Sequence, residues 1–378
     1  MKLYYIANAR MPHKKAYAIQ IAKMCEAFIE EGVDLELVIP RHNGMVDVIK
    51  DYYKLRPSLR VTRLPSFDLY ARGRWGYFLS GVSFTISYFV YIFLKRCQGK
   101  RGVIYTIDMD TFSFAVSAFL GMPCFLETHG GKATSLVNKI FFKHVNGVIV
   151  INNIIKKQIA NVMSFSENRM LVWPNGIDLE LFHSIPKDDA RRSLSLPKEI
   201  KIVMYCGRFY GWKGLDVLID AAKELPQNIF VYIVGGTKDE FMIVAKRKEL
   251  PSNMIFVGGK SYTEVPVWLS AADALLVLGT KHDTQSYYYT SPMKVFEYLA
   301  MGRGIVASRT PAIQDIVSDE EVVFYEPDNP KDLAKKMELA VSSSEVMDKK
   351  IAAAVIKAKD FTWQNRAKDI SEFIKKNI

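Results

Sequence analysis

Short β-rich runs alternate with helical segments along this chain, and the alternation runs twice. In the first half "KLYYIAN" reads as a strand, "AYAIQIAKMCEAFIEEG" as an amphipathic helix stopped at Gly32, and "DLELVIP" as the next strand. "GVIYTI", "PCFLETH" and "GVIVIN" follow, each bounded by chain-breaking residues and separated by helical stretches. Strands joined through helices run parallel and carry helices on both faces. "VWPNGIDLELF", Val172 to Phe182, interrupts the rhythm with Pro-Asn-Gly turn chemistry. The pattern then restarts. "IKIVMYCG", "IFVYIVGG", "MIFVGG", "ADALLVLG", "GIVAS" and "VVFYE" read as strands, with helices near 215–224, 265–271, 293–301 and 330–341 and a helical tail from about 345. The expected fold is α/β: two Rossmann-like, doubly wound domains facing each other across a cleft, with ligands beyond the carboxyl ends of the strands. The boundary falls at 172/173, and 378 residues suit two cores better than one.

The formal net charge is +11, and it is uneven. Residues 1–180 hold 23 Lys+Arg against 14 Asp+Glu, while the remainder hold 28 against 26. An excess confined to the first half suits a partner carrying negative charge, or simply solubility. Charge alone, without a stacking motif or a basic helix, does not make a nucleic-acid binder. The four cysteines (Cys25, Cys97, Cys124, Cys206) are scattered without CxxC spacing, which suits buried free thiols in a reducing compartment better than a metal site. "MKLYYIANAR" has too short an apolar run for a signal peptide and reads as a first strand. "YFLSGVSFTISYFVYIFLK", Tyr77 to Lys95, is uncharged as far as Leu94 and long enough to span a membrane. Its serines, threonine and tyrosines dilute it, so the expectation is a buried helix with an exposed edge at a membrane surface.

Two stretches carry residues suited to chemistry. In "YCGRFYGWKGLDVLIDAA" a strand ends at Cys206 and a helix starts near Leu215. The loop between them holds Gly207, Arg208, Gly211, Lys213 and Gly214. Glycines let a ligand approach the backbone, a helix start offers free N–H groups, and two cations are close by. That combination suits a diphosphate, though an ordinary turn with solvated charges has the same composition. In "SPMKVFEYLAMGRGIVAS", Pro292 suits a helix start, and Lys294 and Glu297 lie one turn apart beside residues that pack on a sheet. A carboxylate there can accept hydrogen bonds from both hydroxyls of a ribose; the plain alternative is an i,i+3 ion pair.

Taken together, "GRFYGWKGLDVLIDAA", "PNGIDLELF", "GKSYTEVPVWLSAADALLVLG" and "SPMKVFEYLAMGRGIVASRTPAIQDIV" resemble, in order and spacing, the retaining nucleotide-sugar glycosyltransferases of family 4 (glycosyl transferases group 1), which have the two-domain GT-B fold. "MPHKKAYAIQIAKMCEAF" and "FLETHG" in the first half are similar to that family as well. The resemblance implies a donor-binding domain at 173–361 and an acceptor-binding domain at 1–172, joined by a C-terminal helix, about 362–378, that crosses back. It implies that Arg208 and Lys213 bind the donor pyrophosphate, that Glu297 holds the ribose, and that His129 faces the donor sugar and the transferred bond. It also implies front-face attack with retention, with no metal and no cofactor. The expected partners are a nucleotide-sugar donor and a saccharide or lipid-linked acceptor, with an anionic membrane surface at the inner face of a cytoplasmic protein.

The chain departs from the family in two places. The family's first glutamate, eight positions before Glu297, is replaced by Tyr289 in "SYYYTSP", leaving Ser291 and Lys294 as candidates for phosphate or sugar contacts alongside Gly207. The loop after the first strand, "NARMPHKKAYA", has no glycine pair; His13, Lys14 and Lys15 stand there and suit an anionic acceptor or solvent. Other readings are a nucleotide-sugar 2-epimerase, whose acid/base groups are not found, and a GT-B scaffold without catalysis. A dinucleotide-dependent oxidoreductase requires G-x-G-x-x-G where "YIANARMP" stands.

Overall fold

The structure is a computed structural model that describes residues 1–13, 15–42, 49–56, 58–110, 113–132 and 134–378. The chain divides into two compact units, Met1–Pro174 with Trp363–Ile378, and Asn175–Thr362.

The first unit is built on a seven-stranded sheet. Its strands are β1 (Lys2–Ile6), β2 (Asp34–Pro40), β3 (Arg60–Leu64), β4 (Val103–Ile107), β5 (Cys124–Thr128), β6 (Gly147–Val150) and β7 (Met170–Val172). All pairs are parallel, in the order β3-β2-β1-β4-β5-β6-β7. Strands β4, β5 and β6 are buried at every position, as parallel strands covered on both faces must be. The strand order reverses direction between β1 and β4, which makes the ends of those strands the topological switch point. Asn8, just after β1, spans that point by donating from Nδ2 to Asp110 Oδ2 at 2.5 Å. The C-terminal helix Trp363–Lys376 packs on the helix Ala16–Glu30, and Phe373 meets Phe125 edge to face at 6.0 Å. The chain thus returns to its first sheet, as the resemblance implies.

The second unit carries six strands, β8 (Lys201–Cys206), β9 (Ile229–Val234), β10 (Met254–Phe256), β11 (Ala274–Val277), β12 (Gly304–Ser308) and β13 (Val323–Tyr325). They too are all parallel, ordered β10-β9-β8-β11-β12-β13. One core layer lies under the helices Leu215–Lys223 and Pro330–Val341, and the other under Val265–Ala271 and Met293–Leu299. Asp273 ties the bottom of β8 to its neighbours: it accepts from Arg191 Nη2 at 2.6 Å, from Lys187 Nζ at 2.7 Å and from the Ile202 N–H at 2.7 Å.

The helix around Tyr77–Leu94 differs from expectation. It runs Gly73–Cys97, and only Gly76, Ser80, Gly81, Phe84, Tyr88 and Ile92 are buried. It is a covering helix with one side on the domain rather than a core helix. The tail is two helices, Glu345–Ala358 and Trp363–Lys376, separated at Lys359–Thr362 where the chain passes from the second unit to the first. All four cysteines are free; Cys25 and Cys124 are buried, whereas Cys97 is exposed.

Candidate functional site

The candidate residues of the second unit converge at the carboxyl ends of β8, β9 and β11, the switch point of that sheet. Strand β8 ends at Cys206, and Gly207 then takes φ +142°, which only glycine adopts readily. Its neighbour across the sheet end is Gly235, where a Cβ would stand 2.4 Å from the Gly207 carbonyl oxygen. These two glycines let the loops after β8 and β9 lie backbone to backbone. The 3-10 turn Gly211–Lys213 follows, Gly214 adopts the left-handed conformation, and the helix Leu215–Lys223 starts without a side-chain cap. Its first-turn N–H groups are left to solvent or to an anion.

Lys213 is half-buried, and its ammonium is held by its own loop. Its Nζ donates to the Arg208 carbonyl at 3.1 Å and lies over the rings of Tyr210 and Trp212, at 4.9 and 5.4 Å from their centroids. Burial, with Arg208 adding repulsion, pulls this ammonium down to about 8. Lys294 comes to the same place from the helix Met293–Leu299. Its Nζ lies 3.9 Å from the centroid of Tyr205 and 3.3 Å from where a Cβ of Gly207 would be. Burial and then Lys213 hold Lys294 well below the usual lysine range. Lys294 therefore packs on β8 rather than closing a surface ion pair with Glu297. The Glu297 carboxyl is pushed up to about 7 by burial, which outweighs the Lys294 ammonium and a hydrogen bond from Tyr262. Tyr298 fastens this helix to β8: its hydroxyl accepts the Cys206 N–H at 3.0 Å. Two ammoniums and a guanidinium-bearing residue gathered at glycine-rich strand ends suit an anionic group. A carboxylate one helical turn away suits a hydrogen-bond donor such as a diol.

Ser291 is buried, and its Oγ accepts the backbone N–H of Asn175 at 3.2 Å while Asn175 Nδ2 donates to the Ser291 carbonyl at 2.6 Å. The "PNG" turn is thereby clamped to the start of the Glu297 helix. Tyr289 ends a π-helical turn, Gln285–Tyr289, pinned where Ser286 Oγ accepts the Thr280 N–H at 3.1 Å.

In the first unit His129 follows β5. Its Nε2 meets Glu127 Oε1 at 2.6 Å, and its backbone N–H donates to Asp108 Oδ1 at 3.1 Å. A carboxylate only accepts, so the ring nitrogen facing Glu127 carries the proton. Glu127 is fully buried. It receives Arg366 through Nη2 at 2.8 Å and Nη1 at 3.2 Å, Gln20 Nε2 at 2.6 Å, and the Tyr105 hydroxyl. Burial alone would raise this carboxyl. Arg366 and the His129 hydrogen bond overcome that and hold it well below the usual carboxylate range. Asp108 also binds Lys132 and the Thr128 hydroxyl. His129, 30% exposed, is thus a ring fixed from behind with its outer edge accessible.

The structure brings Gly207, Arg208, Lys213, Lys294 and Glu297 together, with Ser291 as a strut beside them. His129 belongs to the separate Glu127 network. His13 is tied to two helices beside its loop: its N–H donates to the hydroxyl of Tyr53, on the helix Ile49–Tyr53, at 2.7 Å, and its ring stacks on Tyr17 of the Ala16–Glu30 helix at 6.1 Å. Lys15 is exposed at the start of the Ala16–Glu30 helix, and Lys14 lies outside the described residues. Sequence reasoning did not single out Glu127, Arg366, Tyr205, Tyr262 or Gly235. Glu127 had a usable signal, since a carboxylate two residues before His129 on a strand shares its face. Among the described residues no group of three His, Cys, Asp or Glu side chains is placed to hold a metal ion.

Comparison with known proteins bears on the fold and on the family of the second unit. The family model "Glycosyl transferases group 1" matches residues 186–358. The lipopolysaccharide 1,2-N-acetylglucosaminetransferase of Salmonella typhimurium is 24% identical over 218 residues, 54% of this chain and 56% of that protein. The D-inositol 3-phosphate glycosyltransferase of Nocardioides sp. is 25% identical over 233 residues, 56% of this chain and 49% of that protein. The chain spans about half the length of these curated relatives. Among solved structures, sucrose-phosphate synthase from Thermosynechococcus elongatus superposes with a TM-score of 0.78 at 19% identity, covering 99% of this chain and 98% of that one. Anabaena HepE in complex with UDP-glucose does so with a TM-score of 0.73 at 15% identity, covering 100% of both chains. The two parallel α/β units match those of GT-B glycosyltransferase structures, and residues 186–358, most of the second unit, match the Glycosyl transferases group 1 family model.

Proposed function

We propose that the chain is a glycosyltransferase that moves a sugar from a nucleoside diphosphate sugar to a hydroxyl of a saccharide or lipid-linked acceptor. The reaction retains anomeric configuration, needs no metal, and takes place on the cytoplasmic side, in cell-surface glycan or glycolipid synthesis. The observation that carries this reading is the gathering of Lys213, Lys294 and Arg208 around the Gly207 turn, one helical turn from Glu297. As the bond from the anomeric carbon to the diphosphate breaks, negative charge grows on the leaving oxygen. Arg208 and Lys213 are the groups to meet it, in the role a metal ion plays elsewhere. Glu297 would accept from the ribose hydroxyls and so set where the anomeric carbon lies. The acceptor oxygen would bond to that carbon on the face the diphosphate leaves, giving its proton to the departing phosphate. His129, held by Glu127, is assigned to the sugar and the transferred bond; His13, Lys14 and Lys15 are assigned to the acceptor side. HepE, solved with UDP-glucose, supports a nucleotide-sugar donor.

A thermal-shift panel of UDP-, GDP- and ADP-sugars tests the reading. A matching donor at about a hundred times its Kd stabilises the native state by about 2.7 kcal/mol. A flat response across the panel overturns it. Affinity for the matching donor should peak near neutral pH. Glu297, with its carboxyl up at about 7, becomes an acceptor-only carboxylate as pH rises through that value. Lys213, down at about 8, loses its charge above it. Glu297→Gln should remove the acidic limb and leave the alkaline one.

A further inference from the structure

The face of the Gly73–Cys97 helix turned away from its unit is apolar and uncovered. Ile86 is 59% exposed, Phe89 37%, Val90 48%, Phe93 47% and Leu94 52%. They recur at three- and four-residue spacing, which places them on one side of a helix. The opposite side is buried in the domain through Phe84, Tyr88 and Ile92, and serines on that side and on the flank tie the helix to the preceding loop. The Ser80 and Ser83 hydroxyls accept the Leu69 and Phe67 N–H groups at 3.0 and 2.8 Å, and Ser87 donates to the Pro65 carbonyl at 2.5 Å. The helix is long and apolar enough to cross a membrane, but crossing would strip those bonds in a medium that offers no replacement.

Charge says what covers the face. No carboxylate occurs between Asp68 and Asp108. Arg72 and Arg74 are exposed at one end of the helix, and Lys100 and Arg101 just past the other. Next to the second end is a recess lined by Arg96, Lys100, Arg101, Gly121 and Pro123. Its width depends on Gly121, where a Cβ would collide with the Arg96 guanidinium at 2.0 Å. A second copy is a poor occupant, because a twofold contact of this face with itself sets arginine and lysine against their own kind with no acid to pair with.

We propose that this face docks on an anionic lipid bilayer. The helix lies in the plane of the interface with its apolar stripe below the phosphates. Arg72, Arg74, Lys100 and Arg101 lie on the phosphates, and the basic recess takes a lipid headgroup. Docking goes beyond the transferase reading and needs neither donor nor turnover.

The test uses the full chain with vesicles of phosphatidylcholine alone and with about 30 mol% phosphatidylglycerol, read by flotation. In a Cys206→Ser background, exposed Cys97, on the same side of the helix, takes an environment-sensitive fluorophore, since Cys25 and Cys124 are buried and Cys206 is only partly so. Binding to anionic vesicles should exceed binding to neutral ones by about tenfold or more at 0.1 M salt and fall as salt rises. The fluorophore should shift to the blue and be quenched from the acyl region. Ile86→Ser/Phe89→Ser/Phe93→Ser and Arg72→Gln/Arg74→Gln/Lys100→Gln/Arg101→Gln should each weaken binding about tenfold or more. Unchanged melting and nucleotide-sugar shifts would show these variants folded and keep the result separate from donor binding. Three results overturn the proposal: equal binding to neutral vesicles, binding untouched in both variants, or no vesicle binding, in which case self-association that the serine variant abolishes would assign the face to a second copy.

Discussion

Arg366→Met should destabilise the first unit by about 3–5 kcal/mol, because it leaves a buried carboxylate without its cation. Glu127 and Arg366 are both fully buried and joined by two hydrogen bonds, so water cannot replace the lost partner. For a unit of this size the loss corresponds to roughly 10 °C in the melting transition of that unit. The double variant Glu127→Gln/Arg366→Met should recover part of it, because no charge is then stranded. The pH dependence follows from the direction of the Glu127 shift. Its carboxyl is held below its unfolded value, so the pair's contribution is complete above the ordinary carboxyl range and declines as pH falls below about 4.5. In Arg366→Met burial acts with less to oppose it, so the gap between variant and wild type should narrow in acid. Thermal melts of the three proteins at neutral and acid pH check this. A neutral Arg366→Met would show that the network is not what fixes β5 and the C-terminal helix together. Misplacement of His129 should follow and appear as lost turnover.

Lys213→Ala should lower kcat/KM by about 10²–10³-fold, the usual loss when a preorganised group meeting transition-state charge is removed. Glu297→Gln should act chiefly through KM for the donor, because ribose contacts are made equally in ground and transition states. Neither change should destabilise the protein. In the fold Glu297 is raised to about 7, so between its unfolded value of 4.5 and that pH the folded state holds a proton the unfolded state has lost. Stability contributed by the neutral form is present below that window and is lost as pH rises through it. Above it, Glu297→Gln relieves a standing cost and should melt at the same temperature as wild type or higher. Lys213, lowered to about 8 by burial, is held in the same unfavourable way. Residues that cost stability and gather at strand ends are what a binding site leaves behind in a fold.

Much of this was legible in the residues. Apolar runs bounded by breakers located all six strands of the second unit and five of the seven in the first. The two that escaped are edge strands: β3, "RVTRL", carries two arginines and is mostly only half-buried, and β7 is three residues long. The long helix was read as mostly buried because its composition is apolar nearly all round. Composition does not say which medium meets each side. In the site, Glu297 announced itself as a carboxylate among residues that pack. Tyr205 and Tyr262 did not, because an aromatic in an apolar context reads as core. Glu127 and Arg366 lie 239 positions apart, and no local pattern records a contact at that distance.

The central claim is that the glycine-lined strand ends of the second unit hold a nucleoside diphosphate through Arg208, Lys213, Lys294 and Glu297. Calorimetric titration of UDP, GDP and ADP into the wild type, Lys213→Ala and Glu297→Gln tests it most directly. The account predicts that at least one nucleotide binds the wild type at one site per chain, with affinity lowered about tenfold or more in each variant at unchanged melting temperature. No heat with any nucleotide, or equal affinity in all three proteins, contradicts it.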